Sequence, residues 1–403
     1  MPTRTQVCAW MAGLALVVPT LAAGQDRTER DLVDLIVRDG PQANAIRAGT
    51  DVTRREQLAR LAYPNPGVMY SREGAGFTEF LQVEQSLPIF GVRAALSRAG
   101  AAATAAAEAE RDARLWMLRA EAASGVARLI AQQELLRAVQ SYARDVERLI
   151  DVLRTREREG EGSRFDRLRA EQELRDARQA VTSASVAEAD ARAAVSAMLP
   201  RGTPLGRAVG APGPHPAAHQ LDVLIARATA TRAELRALQR AGDRADREAD
   251  AARRARMPAP TIFGGLKRAD NEAGRERGGV LGVSVSLSMF DSGGREAARW
   301  VAERALVNAE RTAVEDRIRA DVTRASEALA LRDLAVSEDQ ASAGDELIRI
   351  ADVAYREGEV GILELLDAVR TASRARIRSL EIRLDARLAQ IAMERAVGDV
   401  LWP

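Results

Sequence analysis

The chain has 403 residues and a formal net charge of +1, so its bulk charge points to no polyanionic partner and argues against nucleic-acid binding. Aromatic residues make up 3% of it, while Ala, Arg, Leu and Glu abound. That composition suits long helices packed side by side and argues against a compact core built on large rings.

The N-terminus "MPTRTQVCAWMAGLALVVPTLAAGQD" has Arg4 in a short leading region, an apolar run from Ala9 to Val18, and small residues Ala22, Ala23 and Gly24. This is the layout of a cleaved secretory signal over residues 1–24, and the run is short for a membrane-spanning helix. Cys8, the only cysteine, leaves with it, so the exported chain has no disulfide and no thiolate metal site. No later segment is apolar enough for a spanning helix, so membrane insertion would need strands.

In chain order, a helix is expected from about Arg27 to Ala62, then a β-hairpin over about 64–90. Its strands are "PGVMYSRE" and "FTEFLQVEQSLPIF", joined by a "GAG" turn. From 93 to 157 no proline intervenes, which predicts one helix of roughly 100 Å at 1.5 Å per residue. Leu135, Val139, Tyr142, Val146, Leu149 and Leu153 form a heptad seam, and Leu129, Leu136, Ala143 and Ile150 a second row. Two seams let one helix pack on both sides, as a cylinder of helices requires.

A glycine break follows at 158–163, then a return helix at 164–199. The Pro/Gly-rich segment at 200–219 reads as a linker. The sequence continues with a helix at 221–256, a hairpin at 260–290, a long helix at 295–355, a second break at 356–361, and a return helix at 362–401. The expected stacking joins 164–199 end to end with 221–256, and the C-terminal helix with the N-terminal one.

The chain repeats itself. "LQVEQSLPIF" at Leu81 matches "LGVSVSLSMF" at Leu281, and the break at Gly160 aligns with that at Gly358. Residues 25–215 and 216–403 therefore read as tandem repeats. Leu281, Val283, Val285, Leu287 and Met289 alternate with small residues, a period-two pattern about ten residues long that fits a membrane β-strand.

This arrangement, with "YREGEVGILELLDAVRTA" from Tyr355 as its signature, resembles the TolC-type outer membrane factor family, including its metal and drug efflux members. The resemblance implies a mainly α fold with a membrane β-barrel portion. Four strands and four helical rods per chain would build a trimeric 12-strand barrel, continued by a 12-rod periplasmic helical barrel. It implies the exit duct of a tripartite efflux or type I secretion system, docked to a periplasmic adaptor and an inner-membrane pump, with no enzymatic activity and no cofactor. Tyr355, Glu364 and Asp367 stand at the family's tip constriction. Gly160, Glu161, Gly162, Asp166, Gly358, Glu359 and Val360 stand at its adaptor-contacting turns. Here Glu157 replaces the first-repeat tyrosine, and glutamates stand where the family often has Val and Leu.

The rival readings are a periplasmic adaptor or coiled-coil scaffold, and an enzyme. The sequence has no nucleophile elbow, phosphate loop or metal-ligand cluster. Its only histidines, His215 and His219, stand in the proline-rich linker.

Overall fold

The computed structural model describes residues 25–74, 78–210, 220–271, 274–286, 293–339 and 341–402. The expected signal segment at 1–24, His215, His219 and Leu287 to Phe290 lie outside these residues.

A short strand β1 (Gln25–Thr28) opens the chain, followed by helices α1 (Glu29–Asp39) and α2 (Pro41–Arg60). Thr28 caps α1 reciprocally with Asp31. Strands β2 (Gly67–Glu73) and β3 (Thr78–Ser86) lead into α3 (Val92–Arg158), a 67-residue helix. Then come α4 (Arg164–Met198), β4 (Leu205–Val209), α5 (Leu221–Thr231) and α6 (Ala233–Ala255). The second hairpin is β5 (Pro260–Asn271) with β6 (Gly274–Val285). It is followed by α7 (Gly294–Ser337), α8 (Ala341–Arg356) and α9 (Ile362–Val397).

The molecule is a long bundle with a sheet at one end. The two hairpins join in an antiparallel sheet of order β2-β3-β5-β6, which leaves β2 and β6 as its edges. The rods nearest the sheet follow the same order: α2, α3, α6, α7. At the far end the order is α4, α3, α9, α8. Both predicted seams of α3 are used, with Val139, Val146 and Leu153 buried on one and Leu129, Ala143 and Ile150 on the other.

Four expectations need correction. The N-terminal helix does not run unbroken from Arg27 to Ala62. It starts after β1 and is interrupted at Gly40, because Pro41 at the first helical position has no N–H to continue α1. The helix at 221–256 breaks at Arg232 for a tertiary reason. The Arg232 guanidinium is buried, with Nε donating to the Ala396 carbonyl at 2.7 Å. The helix at 295–355 is interrupted between Ser337 and Ala341. There the Asp339 carboxylate accepts from the Ser379 hydroxyl of α9. The supposed linker contains β4, which pairs in parallel with β1.

The stacking of the short helices is also exchanged. The end of α4 abuts the α1–α2 break: a Cβ on Gly40 would lie 2.7 Å from the Met198 carbonyl oxygen. Val195 and Leu199 share a core with Leu32, Val33, Ile36 and Ala43. The end of α9 abuts the α5–α6 break, where Met393, Ala396 and Val397 pack with Leu224, Ala228 and Leu235. Each composite rod therefore joins the first and last helices of one half of the chain. The segment carrying β4 takes the chain sideways to the other rod.

Candidate functional site: the tip turns

At the end of the bundle away from the sheet, the chain reverses twice. The last carbonyls of a helix have no intrahelical partners and must be satisfied by the chain that follows. After α3, the Gly160 N–H donates to the Glu157 carbonyl at 3.2 Å and the Glu161 N–H to the Arg156 carbonyl at 2.9 Å. After α8, the Gly358 N–H donates to Tyr355 at 3.2 Å and the Glu359 N–H to Ala354 at 2.9 Å. This is the same helix-ending motif twice, with Gly160 at φ 79° and Gly358 at φ 78°, a region that a side chain resists. A Cβ at either position would meet nothing within 4 Å, so the demand for glycine is purely conformational.

The return helices begin differently. The Ser163 hydroxyl caps α4 by accepting from the Phe165 N–H at 3.1 Å. Gly361 precedes α9 without a side-chain cap. Beyond it, Ile362, Leu365, Leu366 and Val369 are buried against Val146, Ile150, Leu153 and Ala170. That burial turns Glu364 and Asp367 outward, and both are exposed. Three positions apart on a helix, they share a face. Asp166 is half-buried, Glu161 and Glu359 are exposed, and Val360 and Gly162 are half-buried.

Tyr355 packs against the edge of this core, and the Arg156 guanidinium lies 5.4 Å from its ring centroid. The two tips of one chain therefore touch. The structure brings Tyr355 to the first tip and places Glu364 and Asp367 on the exposed face of the second.

Sequence reasoning missed a polar cluster above the tips, a little over two turns into each return helix. Glu173 of α4 accepts from the Tyr142 hydroxyl of α3 and from Arg370 of α9, with Arg370 Nε at 3.1 Å. Three rods are thereby tied through one carboxylate. Burial opposes the charge on Glu173, but the hydrogen bonds from Arg370 and Tyr142 outweigh it and hold its pKa below the ordinary value. Burial, and then the adjacent Glu173, push the Tyr142 phenol well above its usual range. No local motif marks this cluster: Tyr142 reads as a seam position, and Glu173 and Arg370 are 197 residues apart.

Residues 224–399 match the family model of the outer membrane efflux protein. The fold match extends over nearly the whole chain. The CmeC outer membrane channel of Campylobacter jejuni superposes with a TM-score of 0.71 at 11% identity, covering 98% of this chain and 94% of that one. A crystal structure of CusC gives 0.71 at 16% identity, covering 93% of each chain. The open-state MtrE outer membrane channel of Neisseria gonorrhoeae gives 0.68 at 19% identity, covering 92% and 89%. No curated protein matches by sequence.

Residues 224–399, under half of the chain, thus match the outer membrane efflux protein model, and the whole chain has the fold of these channels. Among the described residues no helix is long and apolar enough to cross a bilayer. Paired residues of antiparallel strands point to one face. The register therefore aligns Val68, Val83, Gly264 and Leu281 in one row, and Tyr70, Leu81, Leu266 and Gly279 in the next. Leu281 is 89% exposed, Val68 72% and Leu266 69%. A soluble protein rarely leaves such a continuous apolar face in water, whereas lipid would cover it.

Proposed function

We propose that this chain is an outer membrane efflux protein, the exit duct of a tripartite efflux or type I secretion system. In this reading it works as a homotrimer and conducts passively what an inner-membrane pump and its periplasmic adaptor deliver. The observation that carries the reading is the open sheet. Four strands expose apolar side chains on one face and leave β2 and β6 unpaired at the edges. Unpaired backbone groups cannot face lipid, so the sheet must close. Three copies supply twelve strands, an even number within the range of bacterial barrels.

The rods support the same closure, because the edge rods keep the order of the edge strands. Leu331 and Leu334 of α7 are 69% and 54% exposed, and Phe165 and Val186 of α4 are 64% and 57% exposed. These are surfaces that a neighbouring copy would cover. Cyclic symmetry then puts the pore on the axis.

In this assembly the constriction lies at the tips. Glu364 and Asp367 form two rings of three carboxylates, which narrow the pore electrostatically and favour cations. Tyr355, anchored under Arg156, braces the helix end that precedes them. The turns at Gly160, Glu161, Gly162 and Asp166, and at Gly358, Glu359 and Val360, meet the adaptor.

Planar-bilayer recording of the Glu364→Ala/Asp367→Ala variant tests the gate. Conductance should rise or cation selectivity fall, and unchanged values would remove both residues from it. Recovery of the wild-type protein in the soluble periplasmic fraction without detergent would instead favour an adaptor or scaffold.

A further inference from the structure

The sheet carries a second pattern above its apolar band. Two residues beyond the Tyr70–Leu81–Leu266–Gly279 row, on the same face, the register aligns Arg72, Glu79, Arg268 and Arg277. Three arginines thus stand in one row with one glutamate. Arg268 lies 4.0 Å from Glu79, which also accepts from the Tyr70 hydroxyl at 3.3 Å. Arg72 and Arg277 are exposed, and the Arg268 side chain is 39% exposed.

The height of this row is informative. Pro260 and Arg268 lie on the same face of β5, at the rod end and near the far end of the strand. Eight residues at about 3.4 Å each span roughly 27 Å along the strand, or about 20 Å across the bilayer once the strand tilts by about 40°. The apolar band of such barrels is about 25 Å tall. Counted from Pro260, the row stands about 5 Å short of the full band, a gap that a long arginine side chain spans to reach the headgroups on the side away from the rods. Tyr70 lies just beneath it, at the level where amphipathic rings settle. The strands end within a few residues, with four residues joining β2 to β3 and two joining β5 to β6, so no long loop is available to cover the row.

We propose that this row binds the phosphate groups of anionic outer-leaflet lipid. The inference rests on the reading of the apolar face as lipid-facing. The chemistry is that of the guanidinium fork, which matches phosphate oxygens two at a time and tolerates partial dehydration better than an ammonium group. The chain uses arginine at all three positions. Its one lysine, Lys267, faces the other side of the sheet, where it lies 5.6 Å from the Phe80 ring centroid. The row holds three arginines and one glutamate per chain, and the next row on the same face pairs Arg275 with Asp270 at 3.0 Å. A closed trimer presents the arginine row around its whole circumference.

The test is native mass spectrometry of the purified trimer titrated in detergent with bisphosphorylated lipid A, dephosphorylated lipid A or inorganic phosphate. The wild type should retain the phosphorylated lipid. Arg268→Gln/Arg277→Gln should lower that retention by about tenfold, with Arg268→Lys/Arg277→Lys falling between. Lys267→Gln, on the opposite face, should bind as the wild type does. Trimer elution in size-exclusion chromatography controls for folding. Equal retention by the glutamine variant, or equal retention of dephosphorylated lipid, would overturn the proposal. Displacement by equimolar inorganic phosphate would assign the row to free anions instead. Bilayer recording of the wild type separates the two readings: a conducting channel without lipid preference sinks only this inference, while absence of channels sinks the exit-duct reading.

Discussion

At the first tip, residues 154–169 carry six arginines against four carboxylates, and at the second, residues 352–367 carry one arginine against five. Their backbones nonetheless turn with glycines one degree apart in φ and with the same two hydrogen bonds. Geometry and charge are thus under separate control. The turn is dictated by helix-end carbonyls that must be satisfied and by the left-handed glycine that satisfies them. Most of the charged side chains around it are exposed, where charge reversal costs little. The result is two turns of one shape, with a net charge of +2 at the first and −4 at the second. The second carries the exposed pair Glu364 and Asp367, and Arg169 stands where alignment of the tip glycines would put the counterpart of Asp367.

The same asymmetry appears above the tips. Alignment of the two turns puts Gln172 opposite Arg370, so the clamp on Glu173 exists once per chain. Arg370→Ala should destabilise the protein by about 2–3 kcal/mol, because it leaves a mostly buried carboxylate with only the Tyr142 hydroxyl. Gln172→Ala should change little, and thermal unfolding of the two variants measures the difference. Equal effects would mean the clamp does not distinguish the two sides. Acid offers a second route to the same comparison. Glu173 has a folded-state pKa below the ordinary 4.5, so its stabilisation is fully present above that pH and lost as pH falls through the lower value. The stability gap between wild type and Glu173→Gln should therefore hold at neutral pH and close on acidification below about 4.5.

The shared backbone makes the opposite forecast. Gly160→Val and Gly358→Val should each cost about 1–2 kcal/mol from the left-handed conformation alone, and should match one another. A clear difference in denaturant midpoints would show that the surroundings, not the turn, set the cost. The smallest effect is expected where the two tips touch. Arg156→Ala removes the guanidinium from the Tyr355 ring and should cost about 0.5–1 kcal/mol. A larger loss, read by the same titration, would make that contact the main tie between the tips.

Much of the fold is legible from local pattern. Strict alternation marks β6, where Leu281, Val283 and Val285 share the exposed face. The heptad spacing of α3 marks both buried rows. The tip turns are legible because a glycine between long helices has few other uses. The candidate tip site is legible only in part. Outward placement of Glu364 and Asp367 follows from the apolar spacing of Ile362, Leu365, Leu366 and Val369, but the Tyr142–Glu173–Arg370 clamp joins three distant segments and leaves no periodic trace.

The amino-acid sequence by itself determined the first long rod, the two hairpins and the two reversals, since each follows from side-chain periodicity or backbone accounting within a few turns. Tertiary structure alone decided which short helix continues which rod. Arg232 carries no helix-breaking chemistry, and its helix stops there because the Ala396 carbonyl at the end of α9 receives its guanidinium. Residues 205–209 stand in a Pro/Gly-rich stretch, and they form a strand because β1 offers backbone partners beside them. Both outcomes depend on groups far away in the chain, whose partners exist only once the bundle has assembled.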